Sequence, residues 1–335
     1  MTTPPAERAS VSEDATAANR DWRSQLRLPS GVKLQEFALV GVVLLLILVG
    51  AVLEPDSFPT ADNFRAILTQ ASVVGVIAIG MTFVIATAGI DLSVGSVLAA
   101  AGIAGGLVVD EGTAAFVLAA MGFGLLLGMI NAGSIAYGRV TPFIATLAMF
   151  AMARGLALLM SDKEPISLLT ADGVRWFGTG EIATIPVSVV IFLAVAVGGW
   201  VLLNRTRYGR YVVAVGGNRE AARIAGVPVR RIILSVYCLT GLLAGLSAVL
   251  LSARLASASP VSGNLLELDA IGAVVIGGTS LAGGRATIFG TFLGVLVFAI
   301  IFNLLTQLNL ATEWQQIVKG VIILGAVLIQ RPERI

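Results

Sequence analysis

The chain has 335 residues, 57% of them hydrophobic and 13% charged, and its mean hydropathy is +0.93. A soluble domain carries about 25% charged residues; half that supply cannot cover a water-exposed surface, so the chain reads as an integral membrane protein. The net charge of +2 gives no cause to expect a nucleic-acid partner, the single cysteine, Cys238, excludes an intrachain disulfide, and the absence of histidine removes the commonest general base and transition-metal ligand. No cofactor and no metal are expected, and the chain is not expected to be an enzyme by itself.

Residues 1–33 are expected to form a disordered cytoplasmic tail, since they mix Ala, Ser, Thr, Pro and both charge signs without apolar periodicity. Residues 34–335 are expected to form one transmembrane domain. About twenty apolar residues make one crossing, which yields about ten spans. They are Phe37–Leu53, Ala71–Ala88, Val94–Val109, Ala114–Ala136, Pro142–Met160, Pro186–Leu203, Ile232–Ala253, Asp269–Leu281, Thr287–Leu305 and Trp314–Ile329. The first run is followed by no small-residue cleavage site and reads as a retained span. Arg20, Arg23, Arg27 and Lys33 before it place the N-terminus in the cytoplasm, because cationic segments stay inside. The acids Glu54, Asp56 and Asp62, and later the 161–185 loop, then fall outside, and the C-terminal RPERI falls inside.

The longest polar interruption is 204–231, with Arg205, Arg207, Arg210, Arg219, Arg223, Arg230 and Arg231 against one acid, Glu220. Such a loop fixes orientation as a cytoplasmic segment. Its middle, Asn218 to Ala225, holds helix formers between Gly217 and Gly226, with Pro228 beyond, and predicts a short helix. A short rigid helix between two spans is a surface on which a motor subunit can push. The expected contacts are Arg219, Glu220, Ala221, Ala222, Arg223 and Gly226, with Ala221, Ala222 and Ala225 as a flat small face. The competing reading is that the arginines serve topology and lipid head groups alone.

Two glycine-rich segments interrupt apolar runs: GIDLSVGS at 89–96 and GGTSLAGG at 277–284. Gly-interrupted segments in corresponding positions of two halves point to a transport pathway; two tight turns would look the same. The candidate pathway residues are Asp91, Ser93, Gly95, Asn131, Thr146, Thr279, Ser280, Gly283 and Asn303. Asp91 and Ser93 either stand at the inner mouth of the pathway or cap the third span. Glu267 and Asp269 read as first-turn acids of the eighth span, or as part of an outer entrance. Asn131, Thr141, Thr146, Arg154 and Asn303 either bond between helices or line a path. Uncharged donors and acceptors suit a neutral polyhydroxy solute. The nucleotide-binding pattern G-x-x-x-x-G-K-[ST] is absent, and none of Lys33, Lys163 and Lys319 follows a glycine, so any ATP is hydrolysed by another chain.

These stretches carry a resemblance. GMTFVIATAGIDLSVGSVLA from Gly80, TPFIATLAM from Thr141, NRTRYGRYVVAVGGNREAARIAGV from Asn204 and ELDAIGAVVIGGTSLAGGRATIFGTFLG from Glu267 spread over most of the chain after residue 70. Together they resemble the permease subunits of bacterial ABC importers for simple sugars, the ribose/xylose/arabinose permease family. The resemblance implies an all-α polytopic membrane protein with a type II-like importer fold of two related halves, some spans short or broken. It implies a dimer with a second permease copy or a related permease, ABC ATP-binding subunits, and an extracytoplasmic sugar-binding protein. It makes 217–226 the coupling helix. Rival expectations are an ion-coupled secondary transporter, a permease for a branched-chain amino acid, nucleoside or signalling sugar, and a non-transporting membrane scaffold.

Overall fold

Among residues 30–329, which the computed structural model describes, thirteen α-helices make up nearly all the regular structure. The expected N-terminal tail lies outside the described residues apart from 30–33. In order the helices are α1 (Ser30–Leu53), α2 (Ala61–Ala86), α3 (Val94–Gly106), α4 (Thr113–Ala136), α5 (Pro142–Met160), α6 (Asp172–Thr179) and α7 (Val187–Arg205). Then come α8 (Arg207–Gly217), α9 (Arg219–Ile224), α10 (Val229–Leu255), α11 (Leu266–Ile276), α12 (Ile288–Gln307) and α13 (Thr312–Ile329). A 3-10 turn (Val109–Glu111) and four two-residue strands complete it: β1 (Ile166–Ser167) pairs antiparallel with β4 (Ser257–Ala258), and β2 (Glu181–Ile182) with β3 (Ile185–Pro186).

Local chemistry sets many of these ends. Thr60, Thr206, Asn218 and Thr287 accept a backbone N–H with their side-chain oxygens and so start α2, α8, α9 and α12. Pro142, lacking an N–H, sits at the first position of α5.

Seven helices are long and apolar enough to cross a membrane: α1, α2, α4, α5, α7, α10 and α12. Three expected spans differ. The third is α3, 13 residues, and the eighth is α11, 11 residues. At 1.5 Å per residue they reach about 20 and 16 Å, short of a core of about 30 Å. The tenth, α13, opens on Thr312, Glu313, Gln315 and Gln316 and carries Lys319. The short helix expected at Asn218 to Ala225 is α9, while α6 within 161–185 and α8 ahead of α9 add helices where loop was expected.

The long helices α2, α10 and α12 are buried in the centre, while α1, α4, α5 and α7 turn apolar residues outward. In hydrocarbon, helices gain little from hiding apolar surface, so close backbone packing and interhelical bonds hold them. The crossing of α4 and α10 shows this. Gly124 and Gly128 face Gly241 and Gly245; a Cβ on Gly241 would lie 2.7 Å from the Gly128 Cα, and one on Gly245 2.7 Å from the Met121 Cα. Elsewhere Thr82 and Thr291 share a buried hydroxyl bond of 2.8 Å between α2 and α12, and Ser247 donates to the Val73 carbonyl at 3.1 Å.

Candidate functional site

α2 ends in a tight reversal. Ala88, with φ 58°, takes the left-handed conformation; its amide bonds the Ile85 carbonyl and the Gly89 amide bonds the Val84 carbonyl. The chain then runs without regular structure to Ser93 before α3 begins. Within this stretch Asp91 Oδ1 accepts both the Ser93 amide at 2.9 Å and the Ser93 hydroxyl at 2.6 Å. Asn131 of α4 donates to the same hydroxyl at 2.9 Å. Thr146 of α5 donates to Pro142 in its own helix and to the Ile90 carbonyl at 3.3 Å. So Asp91, Ser93, Asn131 and Thr146, distant in sequence, form one buried polar cluster around the 87–93 break. The capping expectation fails for Ser93: it precedes α3 but caps nothing with its side chain, because Asp91 and Asn131 occupy its hydroxyl.

α3 and α11 begin beside one another. A Cβ on Gly95 would run into the Gly263 carbonyl and lie 2.5 Å from Glu267 Oε2, and one on Gly263 would lie 2.7 Å from the Gly95 carbonyl. Leu265, with φ 61°, turns the chain into α11. Arg154, in the second half of α5, pins the preceding segment by donating to the Pro260 carbonyl at 2.6 Å and that of Ser262 at 3.0 Å. Glu267 is buried, with its Oε2 meeting no hydrogen-bond partner among the described residues, and Asp269 pairs with Lys319 of α13 at 2.6 Å.

The second glycine-rich segment closes on itself: Ser280 N–H bonds the Arg285 carbonyl, Gly283 N–H the Ser280 carbonyl, and Thr287 N–H the buried Thr279 hydroxyl at 3.2 Å. Gly278, Gly283 and Gly284 all have positive φ, where a side chain would be strained. This loop touches the first break. Gly284 N–H donates to the Ala86 carbonyl, and a Cβ on Gly283 would lie 2.8 Å from the Ala88 Cβ. The last turn of α8 joins them: a Cβ on Gly216 would meet the Ala86 carbonyl and lie 2.7 Å from the Gly284 nitrogen. Asn303 stands apart, near the far end of α12, where it donates to Asn63 at 2.8 Å.

α9 follows this junction directly, capped by Asn218 and closed by Gly226 at φ 82°. Of its residues Arg219, Glu220, Ala221 and Arg223 are exposed. Ala222 is not: at 5% exposure it packs into the protein, so the flat alanine face read from the sequence is split. Ile224, 77% exposed, is the apolar residue the sequence reading missed. Arg223 grips both Glu220 oxygens, at 3.0 and 2.5 Å, and this hydrogen bonding holds the Glu220 carboxyl below its ordinary value of 4.5. A lowered carboxyl value keeps the pair formed at neutral pH and loses it only as pH falls through that lowered value. Among the described residues no group of three or more His, Cys, Asp or Glu is placed to hold a metal ion.

A bundle of long apolar helices, joined by two short ones that follow buried polar breaks, defines a polytopic membrane protein of the transporter class. The chain matches the family described as branched-chain amino acid transport system / permease component over residues 63–327, and it belongs to that family. It is 42% identical over 297 residues to the ribose import permease of Escherichia coli K12, covering 87% of this chain and 92% of that protein. It is 38% identical over 282 residues to the D-allose transport system permease of the same organism, covering 83% and 86%. To the xylose transport system permease of that organism it is 30% identical over 367 residues, covering 89% and 93%. A comparison with solved structures returned no match.

Proposed function

We propose that this chain is the permease subunit of an ATP-driven ABC importer that carries a monosaccharide across the bacterial cytoplasmic membrane. The observation that carries the reading is the junction of Gly216, Ala86 and Gly284, which sets the end of α8, just ahead of the exposed helix α9, against both breaks in the membrane helices. Relatives named for ribose, allose and xylose supply the solute class, a pentose or hexose aldose.

In this reading α8 and α9 lie in the cytoplasm with both termini, and α6 with the β-pairs lies outside. α9 docks in a groove of a separate ATP-binding subunit through Arg219, Glu220, Ala221, Arg223 and Ile224, while buried Ala222 fixes the helix to the permease. ATP binding draws two such subunits together, and α9 moves as a rigid lever. The junction passes that motion to the 87–93 break and to the loop before α12. Alternating access follows when one arrangement of α3 and α11 opens inward and another outward. A sugar-binding protein delivers solute at the outer face, and a second permease copy or related permease completes the path. The ten-span count includes α3, α11 and α13, with α3 and α11 the broken members of two related halves.

The test is ATP-dependent uptake of labelled D-ribose, D-allose and D-xylose into vesicles holding the permease, its ATP-binding subunit and its binding protein. Uptake of one of these sugars that requires all three proteins is the expected result. Uptake driven by an ion gradient without ATP overturns the reading.

A further inference from the structure

Tyr237 lies two turns into α10 and is 1% exposed, yet its hydroxyl has no hydrogen-bond partner among the described residues. A buried hydroxyl left unpaired carries its desolvation penalty with nothing in return, so such a group asks for an explanation. The surroundings supply one. The hydroxyl rests against the first break: a Cβ on Gly89 would lie 2.5 Å from the Tyr237 oxygen, and only glycine leaves that room. Asp91 lies two residues beyond Gly89 in the same break. It anchors the polar cluster through Ser93 to Asn131. Asp91 Oδ1 is already engaged with Ser93, and no hydrogen bond joins it to the phenol. The other phenol at this end of α10 behaves differently: Tyr208 takes a hydrogen bond from Ser235 at 3.0 Å.

We infer that Tyr237 is a positioning residue that couples α9 to the 87–93 break: its hydroxyl donates to the Asp91 carboxylate in the alternate conformation of the cycle and is released in the conformation seen here. The inference rests on the importer reading and deepens it. A bond made in one state and absent in the other biases the equilibrium between them, and this is the condition for a ligand-driven element to transmit motion. α10 follows α9 after a short link, so displacement of α9 carries the start of α10 with it and moves the phenol past the Gly89 backbone. The polar cluster of Asp91, Ser93 and Asn131 then re-forms with one more donor.

The test uses the complete importer in vesicles, with D-ribose, D-allose and D-xylose as probes, and reads sugar moved per ATP hydrolysed together with the thermal midpoint of the purified complex. Tyr237→Phe removes the oxygen and keeps the ring. It is expected to lower sugar per ATP about tenfold, the size of one hydrogen bond lost in one state only, without lowering the midpoint. Tyr208→Phe, the control, is expected to lower the midpoint and spare the ratio. Combined with Asp91→Ala, which leaves the phenol no acceptor, Tyr237→Phe is expected to add nothing further, because both remove the same bond. An unchanged ratio in Tyr237→Phe overturns the inference. So does a lowered midpoint, which would mark a bonded structural hydroxyl, and so does full additivity with Asp91→Ala. Wild-type vesicles that take up none of the three sugars with ATP would instead overturn the importer reading itself.

Discussion

The Gly284 amide donates to the Ala86 carbonyl oxygen at 3.1 Å. This bond ties the loop ahead of α12 to the last residue of α2, and it forms only because Gly216 of α8 leaves both atoms uncovered. The three segments come from different parts of the chain, and none has a side chain at the point of contact large enough to part the others.

Gly216→Ala is therefore expected to be costly. Its Cβ has no space against Ala86 and Gly284, and relief requires the bond between them to stretch. Overpacking of this kind costs about 1–3 kcal/mol. The neighbouring Gly217→Ala is the control, since the nearest atom to its Cβ is the Gly284 Cα at an ordinary 3.9 Å. Thermal midpoints of the two purified variants should separate, with Gly217→Ala close to the parent. Equal midpoints would mean that the junction is not tightly packed.

Ile224→Asp should weaken binding to the ATP-binding subunit and leave the isolated permease as stable as before. An isoleucine this exposed contributes little to its own fold. In a partner groove it becomes a buried anchor, and truncating such a contact costs about 1–3 kcal/mol. Co-purification with the ATP-binding subunit in mild detergent measures it. Full recovery of the subunit with Ile224→Asp would place the docking face elsewhere.

The parts of the fold legible in the sequence were those with strong punctuation. Pro142 marks the start of α5, and the expected Pro142–Met160 is the helix observed. Asp269 was a poor guide to α11, because the helix opens at Leu266, straight after Leu265 in a left-handed conformation, a position few residues but glycine and asparagine take readily. At the first break the expected glycine hinge is an alanine, Ala88, while Gly89 answers to the close approach of Tyr237 instead. The arginine count of 204–231 hid the apolar positions Val212 and Val215, whose burial makes α8 a packed helix rather than a loop. Which way Ala222 and Ile224 face depends on tertiary packing, and so does the meeting of Gly95 with Gly263.

A cysteine placed at Asp172 is expected to react with an impermeant maleimide added to intact cells, after Cys238 is replaced by serine. Asp172 is exposed at the start of α6. A cysteine at Arg207, also exposed but opening α8 at the other end of α7, should react only once the membrane is permeabilised. The arginine-rich segment after α7 drives this orientation. The reverse labelling pattern would invert the proposed topology and remove α9 from reach of an ATP-binding subunit.

The ion pair between Lys319 and Asp269 offers a test of how α13 is held. The two atoms are 2.6 Å apart, their side chains are 14% and 18% exposed, and the ammonium lies 5.1 Å from the centre of the Phe302 ring. α13 otherwise turns Trp314, Ile317, Val321 and Leu324 outward, so this polar contact is its most specific attachment to α11. Removing one partner strands the other charge in a poorly hydrated place, at about 3–5 kcal/mol. Removing both leaves no stranded charge and is often close to neutral. Lys319→Met alone and Asp269→Asn alone are thus expected to lower the thermal midpoint strongly. The double variant Lys319→Met/Asp269→Asn should recover most of the loss, giving a large interaction energy in the mutant cycle. Losses that simply add would show that the two charges do not depend on one another, and α13 would then be held by its apolar packing alone.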